Sequence, residues 1–139
     1  MARILAIDYG KKRTGIAVTD PLQIIANGLT TVNTPELEEW LKDYLGKEPV
    51  ERILVGMPRQ NSGELSENAA RVIPFVRRIR KLYPAIPVEE VDERFTSVLA
   101  HRAMLDGGLK KMARRDKALV DEISATIILQ SYLEQRLFR

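Results

Sequence analysis

Three carboxylates stand where they could do chemistry. Asp8 closes a short apolar run, Glu93 ends the strand-like stretch "VEEVDE", and Asp121 lies on a long periodic stretch in register with Ser124, Ala125 and Ile128. Spacings of three, four and seven place those four residues on one helical face. A carboxylate on a mostly apolar stripe is costly unless it is paired or bound to a cation. Three of them converging from separate elements would repel one another, and a divalent metal removes that conflict. The chain has no cysteine and a single histidine, His101, so thiolate and His-rich metal sites are excluded and any metal is held by oxygen. Mg²⁺ and Mn²⁺ prefer such ligands, completed by water and substrate phosphate. Ions of this kind activate a water and stabilise the leaving oxygen in phosphodiester cleavage.

The cations fit the same chemistry. Lys11, Lys12 and Arg13 follow Asp8 closely, Arg59 and Arg94 fall in or beside other predicted loops, and the stretch "KKMARRDK", residues 110–117, includes Lys110, Lys111, Arg114 and Arg115 against one Asp. Placed along one edge, these groups contact phosphates without reading sequence. Spacing alone leaves other roles open. Asp8 has the residue type of a turn cap, Glu93 can pair with Arg94, Asp121 can charge the first turn of a helix, and the basic stretch can be a solvated run.

The elements that must position these groups follow from periodicity. Arg3–Asp8 reads as a buried strand and Thr14–Thr19 as its hairpin partner, with Gly10 and Gly15 bracketing the turn; a third strand spans Ala26–Val32. From Pro35 the period changes, and Leu37, Trp40, Leu41, Tyr44 and Leu45 mark an amphipathic helix with Thr34 as cap, Trp40 in the core and Gly46 at its end. "RILVG", residues 52–56, has the continuous apolar character of a central parallel strand. Leu65–Tyr83 reads as a helix that Pro74 should kink, and residues 86–93 as the next strand. A helix from Thr96 or Ser97 to Asp106 would hold His101 as an ordinary helix residue. The last helix runs from Ala118 to about Leu137, with Ile123, Ile127 and Ile128 on its apolar side. A hairpin meander followed by alternating strands and helices predicts an α/β fold, a mixed sheet covered by helices on both faces. Ligands of such sheets gather beyond the carboxyl ends of the parallel strands, where Asp8 and Glu93 fall.

Composition bounds the class. With 139 residues, 45% hydrophobic and 29% charged, the chain fits one globular domain, 1–139, with a real core. No apolar run approaches the roughly 18 residues of a membrane helix, and with no signal-like segment and no cysteine a cytoplasmic location is expected. The net charge of +3 is too small to identify a partner by itself.

The motifs "DYGKKRTGIAVTD", "VGMP…SG", "VDERFTS" and "VDEISATIILQSYL" occur in the order and spacing of the YqgF family, also called RuvX, which the whole chain resembles. The resemblance implies a ribonuclease H-like fold with a five-stranded sheet and a metal-dependent endonuclease of the bacterial cytoplasm. It implies a substrate among structured nucleic acids: the 5′ end of pre-16S ribosomal RNA or, alternatively, the Holliday junction of branched DNA. By motif match, Asp8, Glu93 and Asp121 take the places of the family's catalytic and metal-binding carboxylates. The chain departs from the family at Arg59 and "QNSG", and at Glu122, an extra acid beside Asp121; helical phase favours Asp121 as the ligand. Junction cleavage by paired nicks needs a two-fold dimer, whereas the expectation here is a monomer or weak homodimer. A nucleic-acid-binding protein without catalysis is a further alternative. An ATP-binding module of the actin and sugar-kinase type is disfavoured, because no second glycine-rich phosphate hairpin is evident.

Overall fold

The computed structural model describes residues 2–57, 69–92 and 117–137. Its strands are β1 (Arg3–Asp8), β2 (Arg13–Thr19), β3 (Ala26–Asn33), β4 (Val50–Met57) and β5 (Val88–Asp92). They form one sheet in the order β3-β2-β1-β4-β5. Short connections make β1–β2 and β2–β3 antiparallel, while the longer crossovers make β1–β4 and β4–β5 parallel. The helices are α1 (Leu37–Lys47), α2 (Ala69–Leu82) and α3 (Lys117–Leu137). The mixed five-stranded sheet expected from sequence is therefore present, with helices on both of its faces.

Alternation along β1 divides the core in two. Leu5 and Ile7 join Leu37 and Leu41 of α1 and Val72, Phe75, Val76 and Ile79 of α2. Ile4 and Ala6 join Ala125, Ile128, Leu129 and Tyr132 of α3 on the opposite face. A central strand with both faces covered has no polar alternation, which is why β1 reads as a continuous apolar run. Each fully buried Leu or Ile contributes roughly 1.5–3 kcal/mol relative to exposure. Among the described residues the buried polar side chains are Thr14 and Thr19. Thr19 Oγ1 accepts the Ile4 N–H at 3.0 Å, and among the described residues no buried side-chain N or O lacks a partner.

Several local expectations change. Thr34 does not cap α1, because Thr34–Glu36 forms a 3₁₀ turn with Pro35 near its start, and Glu36 precedes α1 without a side-chain cap bond. Gly15 lies inside β2 rather than in the turn, paired with Asp8. Gly46 lies inside α1, which continues to Lys47. Trp40 sits at the margin of the core, stacked on Tyr44 with ring centroids 5.0 Å apart. On α3 the buried stripe is Ala125, Ile128, Leu129 and Tyr132; Ile123 and Ile127 are only half-buried. α2 runs through Pro74 and is described from Ala69 onward. The predicted helix 96–106, with His101, lies outside the described residues.

The β2–β3 connection is built on Asp20. One carboxylate oxygen accepts the N–H groups of Ile24 and Ile25 at 2.8 Å, and the other accepts that of Leu22 at 3.1 Å. The Ile25 N–H is the main cause holding this carboxyl below its ordinary value of 3.8; desolvation opposes it, and the Ile24 and Leu22 N–H groups add to it. Among the described residues no helix is long and apolar enough to cross a membrane.

Candidate active site

Asp8 is the last residue of β1, the middle strand of the sheet. Parallel register sets Ile7 beside Val55, and Gly56 beside Val91. Asp8 is thus level with the ends of β4 and β5, at the sheet's carboxyl edge. By strand alternation it shares the face of Ile4 and Ala6, the face that α3 covers. Its cross-strand partner is Gly15, which sets no side chain beside the carboxylate.

The same stripe of α3 that packs on this face, Ala125, Ile128, Leu129 and Tyr132, carries back one helical turn to position 121. The backbone there is helical, and the Asp121 side chain lies outside the described residues, as does that of Glu122. Glu93 follows the last residue of β5 and is also outside them. Among the described residues no three His, Cys, Asp or Glu side chains converge on a metal position. The donor set that sequence proposes is made of carboxylates alone, and that chemistry fits a hard divalent cation.

The turn from β1 to β2 is tightly specified. A Cβ at Gly10 would collide with the Arg13 carbonyl oxygen, so only glycine fits without movement. The Thr34 hydroxyl donates to the Gly10 carbonyl at 2.6 Å, and the Thr34 N–H reaches the Lys12 carbonyl at 2.9 Å. Thr14 and Thr34 hydroxyls lie 3.0 Å apart. With the Thr34 proton already given to Gly10, Thr14 is the donor of that pair. This network holds Lys11 and Lys12 exposed at the rim, with Arg13 at the start of β2. Arg59, Arg94, Lys110, Lys111, Arg114 and Arg115 lie outside the described residues.

On the other face of the same edge is a cavity of about 280 Å³ whose lining includes Tyr9, Lys11, Thr34, Pro35, Phe75 and Arg78. Tyr9 packs on Phe75 with ring centroids 4.7 Å apart, tilted by 32°. Arg78 Nη1 donates to Glu38 Oε1 at 2.9 Å, joining α2 to α1. Sequence reasoning missed this group. Its one local signal is that Phe75 and Arg78 are three apart on α2, and so lie near one another on the helix surface.

The RuvX family, described as Holliday junction resolvase, matches residues 2–135. A protein of Phocaeicola vulgatus named "Putative pre-16S rRNA nuclease" is 70% identical over 136 residues, 98% of each chain. One of the same name from Bacteroides thetaiotaomicron is 65% identical over 138 residues, 99% of this chain and 100% of that one. The structure of Thermus thermophilus RuvC in complex with a Holliday junction substrate is similar with a TM-score of 0.58 at 20% identity, covering 99% of this chain and 96% of that one. That likeness shows the fold, which is ribonuclease H-like as the motifs imply. With the family matched along nearly its whole length, this chain belongs to the RuvX family.

Proposed function

We propose that the chain is a single nuclease domain, residues 1–139, that hydrolyses phosphodiester bonds in ribosomal RNA precursor at the 5′ end of the 16S species. Mg²⁺ or Mn²⁺ would be held by Asp8, Glu93 and Asp121. The observation that carries this reading is the place of Asp8: the carboxyl end of the middle strand, on the face covered by the helix that bears position 121. A bound divalent ion supplies an activated water and charge stabilisation at the leaving oxygen. The chain's own groups bind and orient. Lys11, Lys12 and Arg13 stand near Asp8 to meet phosphates, and Arg59, Arg94, Lys110, Lys111, Arg114 and Arg115 extend that surface. Asp121 rather than Glu122 is the ligand on α3, because it shares the stripe of Ala125 and Ile128.

The names of the relatives support RNA as substrate, and their identity along the full chain makes that support strong. The family's description also gives a second reading, resolution of four-way DNA junctions by the same site. A protein that works on a ribosomal precursor would act in the cytoplasm, here as a monomer or weak homodimer. Purified protein incubated with labelled 16S precursor and, separately, a four-way DNA junction tests the reading. Cleavage of the precursor with Mg²⁺ or Mn²⁺ and none in EDTA is expected. Cleavage of the junction alone would replace it with the resolvase reading, and binding of both without cleavage would identify a non-catalytic binding protein.

A further inference from the structure

We infer that the cavity beside the β1–β2 turn is a subsite for one unpaired nucleotide of the substrate strand, across the sheet edge from the bond that Asp8 serves; this rests on the nuclease reading. Tyr9 follows Asp8 directly, yet packs against the α1/α2 core on the opposite face. A nucleic-acid strand that crosses the sheet edge at Asp8 and passes over the β1–β2 turn reaches the cavity, whose lining includes Tyr9, the residue after Asp8. The cavity's volume of about 280 Å³ is at the small end of ligand pockets. It suits one base and its sugar and excludes a duplex.

The lining matches that occupant. Phe75 is 3% exposed and backs the Tyr9 ring. Tyr9 remains half-buried and, with Pro35, gives the cavity an apolar wall on which a base can stack. Lys11 and Arg78 also line the cavity and can meet the flanking phosphate, with Glu38 in the same lining. Glu38 holds the Arg78 guanidinium from one side at 2.9 Å, and a guanidinium has further N–H donors to offer. The Thr34 hydroxyl is committed to Gly10, which fixes the turn that carries Lys11. Stacking of this type tolerates any base, but it needs the base out of a duplex. The site therefore selects strand state over sequence.

Binding in EDTA separates this inference from the chemistry. Two labelled RNAs of equal length are compared, one a blunt hairpin and one a hairpin with an unpaired tail. The parent should bind the tailed RNA about tenfold more tightly, the size of one stacked base. Tyr9→Leu should bring that preference close to unity, Arg78→Ala should reduce it severalfold, and Tyr9→Phe should retain it. The blunt hairpin should change less than about twofold in each. Equal affinity of the parent for both RNAs, or equal losses on both RNAs in the variants, overturns the subsite. Should Tyr9→Leu fail to fold in a thermal melt, Arg78→Ala decides by the same comparison. Mg²⁺-dependent cleavage of labelled 16S precursor by the parent is scored separately; its absence would overturn the nuclease reading and leave the EDTA result standing.

Discussion

Each end of the sheet carries an aspartate at a strand terminus, and the two occupy different physical situations. Asp20, just past β2, accepts three backbone N–H groups from Leu22, Ile24 and Ile25 and so organises its own loop. Nearby, Arg3 Nη1 donates to the Thr19 carbonyl at 3.0 Å, and this end is closed by local bonds. Asp8 ends the middle strand, level with the ends of β4 and β5, on the α3 face and beside a turn bearing Lys11 and Lys12. Residue type does not separate these two carboxylates. Their place relative to the parallel strand ends does, because that edge is where an α/β sheet presents its ligand crevice.

The largest expected effect sharpens that contrast. Asp8→Asn should lower metal-dependent cleavage by roughly 10³-fold or more, since a catalytic metal supplies several kcal/mol and each 1.36 kcal/mol is about tenfold. Its melting temperature should stay near that of the parent. Asp20→Asn should cleave like the parent and melt lower. If the two variants behaved alike in a cleavage assay, the distinction between the two ends would fail.

Next in size is the turn beside Asp8. Gly10→Ala forces a Cβ toward the Arg13 carbonyl and should destabilise by roughly 1–3 kcal/mol, as overpacking does. Urea unfolding would measure it, and an unchanged midpoint would show that the turn yields freely. Gly46 is the opposite case. It lies inside α1 with nothing within 4 Å of where a Cβ would stand, so Gly46→Ala should stabilise by roughly 0.5–1 kcal/mol with cleavage unchanged. A lower midpoint would contradict that account of α1.

The smallest effect belongs to Asp20 and depends on pH. Its folded carboxyl is held below 3.8, so the unfolded chain binds this proton more readily. The stabilisation is fully present above the unfolded value of 3.8 and is lost as pH falls through the folded value. Urea melts of parent and Asp20→Asn from about pH 6 to about pH 3 should show their difference narrowing only at the acid end. A difference that stayed constant would mean that the bonds to Leu22, Ile24 and Ile25 are indifferent to charge.

The central strands are legible in the sequence because burial on both faces leaves β1 and β4 with uninterrupted apolar runs. Asp8 is legible for the same reason, as the first charge after such a run. The ends of β3 are less so, since it is an edge strand in which half of the residues are exposed and only Val32 is buried, which gives little pattern. On α3, apolar residues occur on several sides, and the larger Ile123 and Ile127 point to the wrong stripe. The small Ala125 lets the helix lie close to the sheet, and that packing is set by tertiary contact. Thr34 has the residue type of a helix cap, but Pro35 belongs to a 3₁₀ turn and the hydroxyl goes to Gly10 instead. The cavity is invisible in the sequence, since the end of β1, the 34–35 corner, α1 and α2 meet only in the fold.

Asp8, Glu93 and Asp121 are proposed as one metal site, and melting under a Mg²⁺ titration tests that assignment. An ion that binds only the folded protein stabilises it by mass action. The parent's melting temperature should rise with Mg²⁺ from its value in EDTA, while Asp8→Asn, Glu93→Gln and Asp121→Asn should each rise less. Relief of like-charge repulsion should leave each variant at least as stable as the parent without metal. A Mg²⁺-induced rise in any of the three equal to the parent's would contradict the claim and remove that residue from the site.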